Sequence, residues 1–163
     1  MNFWLASHTQ RWHTNPKFAH ISDPISGHSG RISLLLLKID PSISREALAL
    51  AAVHDLGEAY CGDLAAPFKW KHPDVAAVFN DFETNAIGEM GFDVPVLEER
   101  EATIFRICDS LDAYLWASWN APEYVANRND WQVMISKVRQ LALDVGVLDQ
   151  VNTIIKEVHD GGF

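Results

Sequence analysis

The segment His54–Asp63, which reads HDLGEAYCGD, brings one imidazole and three carboxylates together within ten residues. It follows ALALAAV (residues 47–53), which is almost wholly apolar. A buried helix that ends in several titratable groups has two explanations: a polar helix end facing water, or a site that holds a metal ion and a water molecule. Ligands elsewhere in the chain favour the second.

Two further residues offer ligand atoms in apolar surroundings. His28 opens the segment ISGHSGRISLLLL, whose apolar run predicts a buried helix. Asp109 lies within ATIFRICDSLDAYLWA, where a carboxylate is unfavourable unless it is compensated. With His54 and Asp55 these residues form a His₂Asp₂ set that neutralises a divalent cation and suits a borderline transition metal. Metal-bound water is a hydroxide-like nucleophile near neutral pH, so the set predicts phosphoester hydrolysis.

The elements that must position these residues are predicted to be helices. Ser42 or Ser44 is expected to cap a helix extending to about His54–Tyr60. On such a helix His54 and Glu58, four residues apart, share a face, and Asp55 is turned by about one hundred degrees. Residues 62–72, which include Pro67, are expected to form a loop or short turns.

The rest of the chain also has helical patterns, at about 28–38, 73–90, 95–119, 130–145 and 148–159. The alternation that is typical of strands is nearly absent. The predicted fold class is all-α, a compact bundle of about six or more helices. A chain of 163 residues with 48% hydrophobic content is expected to form a single domain spanning residues 1–163.

Composition restricts the partners. The net charge of −9 argues against a nucleic acid polymer but not against a nucleotide, because a metal and a few cations can invert the local field.

The apolar runs are too short to span a membrane, and the start lacks a signal-peptide pattern. Cys61 and Cys108 show no disulfide pattern, so a cytoplasmic location is expected, with Cys108 as a core residue.

The order H…HD…D at positions 28, 54–55 and 109 resembles the HD-domain phosphohydrolases over nearly the whole chain. The block HDLGEAYCGDLAAPFK (residues 54–69) is similar to the corresponding block of two groups within them, the DatZ-type dATP triphosphohydrolases and the YfbR-like 5′-deoxynucleotidases. Arg11-Trp12 stands where both groups carry an Arg-Trp pair that contacts phosphate and nucleoside.

The resemblance implies roles residue by residue. The implied metal ligands are His28, His54, Asp55 and Asp109. The implied catalytic residues, of which one positions the attacking water and the other helps protonate the leaving oxygen, are Glu58 and Asp63. The implied substrate contacts are Arg11, Trp12, Lys69 and Arg106. Asp112, one turn beyond Asp109, stands at a place that is not acidic in these relatives and is left out.

The expected activity is therefore that of an HD-domain enzyme with one divalent transition metal ion, Mn, Co, Zn or Fe. Lys69 and Arg106 favour a triphosphate, so the preferred reaction converts dATP and water to deoxyadenosine and triphosphate, as in phages whose DNA carries 2-aminoadenine. Such an enzyme would work in the host cytoplasm as a homo-oligomer, a dimer or hexamer. The alternatives are a YfbR-like 5′-deoxynucleotidase acting on dNMP and a non-catalytic nucleotide-binding HD module.

Overall fold

A computed structural model describes residues 1–161, apart from the side chain of Ala66, and confirms the all-α fold class. An isolated bridge pairs Gln10 with Pro24, but no strand is present in the described residues. The ten helices of residues 1–161 are α1 Phe3–Ala6, α2 Ile25–Ile39, α3 Arg45–Val53, α4 Glu58–Cys61, α5 Ala66–Lys71, α6 Pro73–Glu89, α7 Glu99–Asn120, α8 Pro122–Ala126, α9 Asn129–Asp144 and α10 Leu148–His159.

The first of two packing units combines residues Met1–Gly30 with Ala49–Val96. Within it, α6 packs against α4 and α5. Its core brings together apolar side chains from distant parts of the chain, because each helix has only one apolar stripe to bury. The buried members are Ala6, Ile25, Val53, Leu56 and Ile87.

The second unit combines Arg31–Leu48 with the residues from Leu97 on. Here α7 is the central helix and packs against α8, α9 and α10. Cys108, expected in the core, is fully buried, and both it and Cys61 are free thiols. Burial, together with the charge of Asp109, raises the pKa of Cys108, so this thiol stays protonated.

The helix that carries ALALAAV is shorter than the sequence predicts. α3 ends at Val53, and a turn over residues 54–57 separates it from α4, so His54 and Glu58 do not share one continuous helix. The His54 N–H still donates to the Leu50 carbonyl at 2.9 Å, whereas the Glu58 N–H donates to the Asp55 carbonyl at 3.0 Å. The change to an i→i−3 bond tightens the backbone. The directions of the His54 and Glu58 side chains therefore differ from those on a continuous helix.

The expectation of a loop or short turns for residues 62–72 was wrong in part, because α5 occupies Ala66–Lys71. Pro67 lies in the first turn of this helix. At that position proline is favourable, since its φ is already helical and its missing N–H would have had no intrahelical partner. The expected cap is confirmed at Ser44, whose Oγ accepts a hydrogen bond from the Ala47 N–H at 3.1 Å.

Gly57 sets the distance between the 54–57 turn and α6. A Cβ atom at this position would overlap the backbone of Glu83, with the Glu83 Cα only 2.5 Å away. Glycine is therefore required by close approach of two backbones. None of the helices in residues 1–161 combines the length and apolar character needed to cross a membrane.

The loop between α2 and α3 is held by Asp40. Its Oδ1 accepts hydrogen bonds from the Ser42 N–H at 3.0 Å and the Ser42 hydroxyl at 2.6 Å, and its Oδ2 accepts one from Arg100 at 2.6 Å. The Ser42 hydroxyl and the Arg100 guanidinium lower the pKa of Asp40 below its ordinary value.

We predict that Gly57→Ala lowers the free energy of unfolding by roughly 1–3 kcal/mol, because α6 must move away from the turn. The matched control is Gly88→Ala on α6, where an added methyl group has no neighbour within 4 Å in the described chain. The control should be neutral or stabilising by about 0.5–1 kcal/mol. Urea denaturation measures both, and equal midpoints for the two variants would contradict the close approach.

Asp40→Asn should destabilise the protein by about 1 kcal/mol at neutral pH, because the charged hydrogen bonds to Ser42 and Arg100 are lost. The folded-state pKa of Asp40 is lowered, so its stabilising contribution is present above the unfolded-state pKa and disappears as the pH falls through the folded-state pKa. Denaturation curves of the wild type and the variant should therefore converge in acid. A difference that persisted unchanged in acid would contradict this account.

Candidate metal centre

Three of the predicted metal ligands converge within the first unit. His28 lies in the first turn of α2 and is fully buried, while His54 and Asp55 follow the end of α3. The Asp55 carboxylate lies between the two rings: its Oδ2 is 3.3 Å from His28 Nε2, and its Oδ1 is 3.2 Å from His54 Nε2. The two ring centroids are 5.3 Å apart.

The hydrogen bond of His54 orients its ring for a cation. His54 Nδ1 lies 3.2 Å from the Ala51 carbonyl oxygen. A carbonyl only accepts hydrogen bonds, so Nδ1 carries the proton, and in the neutral ring the lone pair is on Nε2. A cation placed between that lone pair and the facing carboxylate oxygen would satisfy both groups. Two imidazole nitrogens and a carboxylate oxygen are suitable ligands for Mn²⁺, Fe²⁺, Co²⁺ or Zn²⁺, so the donor set fits the predicted metal.

The Asp55 carboxyl is ionised. Burial alone would raise the pKa of Asp55, but the His54 and His28 rings and the nearby charge of Arg11 bring it well below its usual range. A carboxylate that keeps its charge in a largely enclosed position is suited to binding a cation.

Glu58 is the buried acid beside this group. Burial raises its pKa to about 9, helped by the charges of Asp55 and Asp63 and only partly opposed by Lys69. Its Oε1 is 3.9 Å from the Lys69 Nζ, while its buried Oε2 has no hydrogen-bond partner within residues 1–161. Glu58 therefore carries a proton at neutral pH when no metal is bound.

Lys69 and Asp63 complete the surroundings of Glu58. Asp63 follows Gly62, which has a φ of 80° and turns the chain sharply after α4. Burial opposes the charge of Lys69, yet the carboxylates of Glu83, Glu58 and Asp63 outweigh it and raise the pKa of Lys69. This lysine is thus a permanent cation near the predicted catalytic carboxyls.

Glu83 is a member of this group that the sequence analysis did not include. It lies on α6 and is largely buried, and its Oε1 accepts a weak hydrogen bond from the Cys61 thiol at 3.7 Å. Burial raises the pKa of Glu83, and Lys69 partly offsets the effect. A helical spacing of three and four residues before the buried Ala86 and Ile87 is the sequence signal that could have identified it.

Arg11 and Trp12 lie in the same unit, beside the start of α2. Trp12 adopts a left-handed backbone conformation with φ 65°, unusual for a residue other than glycine. The Arg11 guanidinium carbon lies 5.2 Å from the centre of the Trp12 ring, and the charge of Arg11 contributes to the low pKa of Asp55. Both side chains also bond to Asp23.

The remaining predicted site residues, Asp109 and Arg106, lie on α7 in the second unit. Asp109 is partly buried, and its role as a metal ligand stays a prediction. Arg106 is exposed, and its guanidinium donates to the Ala102 carbonyl at 3.2 Å and to the Thr103 hydroxyl at 3.0 Å. Asp112, left out of the ligand set, forms a two-bond ion pair with Arg31 at 2.6 and 3.0 Å.

No family model, no curated protein and no solved structure matches this chain. A metal centre at this position is therefore inferred from the residues themselves and from their geometry.

We predict that His54→Ala weakens Mn²⁺ or Co²⁺ binding by more than about 100-fold, because loss of a direct ligand should exceed the effect of losing an outer-shell partner. His72→Ala is the control, since His72 is exposed and its ring contacts Phe68 instead. Chelator-treated protein should be titrated with each ion and its metal content measured. Equal metal content in the wild type and His54→Ala would contradict the assignment.

Proposed function

We propose that this protein is a metal-dependent phosphohydrolase of the HD type that acts on deoxynucleotides, with dATP as the preferred substrate. One observation carries the proposal: the Nε2 atoms of His28 and His54 face the two oxygens of the single Asp55 carboxylate. The residue order H…HD…D supports the same conclusion independently.

His28, His54 and Asp55 would hold the metal, and Asp109 is proposed as the further ligand. When bound, a divalent cation supplies an activated water molecule and polarises a phosphoryl oxygen. The hydrogen bond from His54 Nδ1 to the Ala51 carbonyl keeps the ring oriented for this task.

Glu58 and Asp63 are proposed to handle protons. In the reaction, water attacks the α-phosphorus, the bond to the 5′ oxygen of deoxyribose breaks, and that oxygen gains a proton. One carboxyl orients the attacking water and accepts its proton, while the other supplies the proton to the leaving oxygen. Burial of Glu58 excludes bulk water, which strengthens its interaction with the reacting groups.

Lys69, Arg11 and Trp12 are proposed to bind the substrate. Lys69 lies 3.9 Å from Glu58 and would place a positive charge next to the phosphates. The Arg11 guanidinium can pair with phosphate oxygens in a fork geometry that lysine lacks, while the Trp12 ring can cover the sugar or base. Cleavage of dATP in this way gives deoxyadenosine and triphosphate.

One observation favours the alternative, hydrolysis of dNMP to a deoxynucleoside and phosphate. The Arg106 guanidinium is hydrogen-bonded to Ala102 and Thr103 of its own helix, which leaves fewer of its N–H donors for β- and γ-phosphates. The metal ligands do not distinguish the two reactions, because both place the α-phosphorus at the same position.

A product assay decides between these substrates. The protein is incubated with Mn²⁺ or Co²⁺ and each dNTP or dNMP, and the products are separated. Release of triphosphate from dATP supports the proposal, and release of phosphate from several dNMPs with dATP unchanged supports the alternative. The absence of turnover with every metal would contradict both and indicate a binding module.

Glu58→Gln should keep the metal but lower kcat by about 10²–10⁴-fold, because the amide has nearly the same shape but cannot exchange a proton. Glu89→Gln is the matched control in the same unit, where the exposed carboxylate accepts a hydrogen bond from Tyr60 at 3.3 Å. Steady-state kinetics with measured metal content test this. A Glu58→Gln enzyme with unchanged kcat would show that Glu58 does not handle the proton.

A further inference from the structure

Asp23 joins two of the side chains that are proposed to contact the substrate, Arg11 and Trp12. Only 1% of Asp23 is exposed, and it lies five residues before His28. A single oxygen, Oδ2, accepts hydrogen bonds from the Trp12 indole Nε1–H at 2.9 Å and from Arg11 Nη1 at 3.2 Å. The buried carboxylate thus holds the Arg11 guanidinium and the Trp12 indole at a single oxygen atom.

Hydrogen bonds of the surrounding backbone fix the position of Asp23. The Arg11 N–H donates to the Asp23 carbonyl, the Ile25 N–H to the Thr9 carbonyl, and the Ser26 N–H to the Ser7 carbonyl, each at 3.0 Å. The segment before Trp12 therefore runs alongside the start of α2. Because His28 lies in the first turn of that helix, these hydrogen bonds also fix the position of Asp23 relative to a proposed metal ligand.

Trp12 is held in an unfavourable conformation. Its φ of 65° brings the Cβ atom close to backbone atoms, a cost that only glycine avoids. The indole is fixed on one side by the bond to Asp23 and on the other by an edge contact with the buried Phe18, 5.3 Å between ring centres. A strained residue that is restrained from several directions is characteristic of a functional position.

We propose that Asp23 is a positioning residue for the deoxynucleotide: it fixes the Arg11 guanidinium and the Trp12 indole as one pre-oriented unit and thereby sets substrate affinity. The inference rests on the proposed function, because it assigns Arg11 and Trp12 to the substrate. Its physical basis is that a side chain already ordered in the free protein loses less conformational entropy when it binds. The backbone hydrogen bonds pair the segment that carries Arg11 with the start of α2, the helix that also carries the proposed ligand His28, so the oriented cation is placed with the same site.

The effect of Asp23 can be separated from folding. The three backbone hydrogen bonds between the two segments do not involve its side chain, so we expect Asp23→Ala to fold with the segments still paired. What the variant loses is the common acceptor of Arg11 and Trp12. Asp23→Asn keeps an oxygen acceptor for the indole N–H but removes the negative charge that binds Arg11.

The first test does not depend on activity. The indole N–H resonance of Trp12, assigned in a ¹H–¹⁵N NMR spectrum by its disappearance in Trp12→Phe, should exchange slowly with solvent in the wild type. Exchange should become fast in Asp23→Ala and stay slow in Asp23→Asn. Equally slow exchange in Asp23→Ala would overturn the proposed geometry.

The second test measures kinetics with dATP and, in parallel, dAMP. Asp23→Ala should raise KM by about 10–100-fold, as expected for a lost charge-assisted contact, with a much smaller change in kcat and unchanged metal content. Asp23→Asn should give an intermediate KM. Asp40→Ala is the control, because it removes a comparably buried aspartate paired with Arg100 at 2.6 Å from outside the proposed site, and its KM should not change.

The outcomes distinguish the two levels of the proposal. If the wild type hydrolyses neither nucleotide, the proposed function fails, while the indole exchange still reports on the geometry. If the wild type is active and Asp23→Ala has the wild-type KM, the positioning role is wrong and the proposed function stands. A fall in kcat and thermal stability without a change in KM would show that Asp23 is only structural.

Discussion

The proposed site depends on one electrostatic constraint, which is that the Asp55 carboxylate lies between two imidazole nitrogens. His28 Nε2 and His54 Nε2 approach its two oxygens at 3.3 and 3.2 Å. Because the Ala51 carbonyl holds a proton on the far nitrogen of His54, the neutral ring directs its Nε2 lone pair at the carboxylate. A divalent cation satisfies all three groups at once, and this is why the arrangement supports a metal centre better than a helix end facing water.

Glu58 is a carboxylic acid like Asp55, but its pKa is shifted in the opposite direction. Asp55 is close to two imidazoles and an arginine and keeps a low pKa, whereas Glu58 is buried beside other acids and its pKa rises to about 9. Their different environments thus separate an ionised carboxylate from a protonated acid, which is the division of roles that the proposed metal-assisted hydrolysis would use. Lys69 stabilises the remaining negative charge and keeps its own proton, because the surrounding carboxylates raise its pKa despite its burial.

The cations proposed to contact phosphate are themselves paired with acids. Arg11 bonds to Asp23, and Lys69 lies beside Glu58. In a chain with a net charge of −9, the ion pair with Asp23 orients Arg11 but reduces its net attraction for a highly charged substrate, whereas the protonated Glu58 leaves the charge of Lys69 in place. This balance between orientation and charge would bear on the choice between the proposed triphosphate substrate and a monophosphate.

Local patterns in the sequence predicted the all-α fold class, a serine cap at position 42 or 44 and the residue types of the candidate site, because helix periodicity, capping and ligand chemistry are local properties; the structure selected Ser44. Local patterns did not determine the break after Val53 or the helix at Ala66–Lys71. The break accompanies the close approach of Gly57 to the Glu83 backbone, a contact between residues 26 positions apart that no local pattern encodes. The pairing of Asp23 with Arg11 and Trp12, and the convergence of His28 with His54 and Asp55, were likewise decided by tertiary structure, since only folding brings distant charges into the same low-dielectric surroundings.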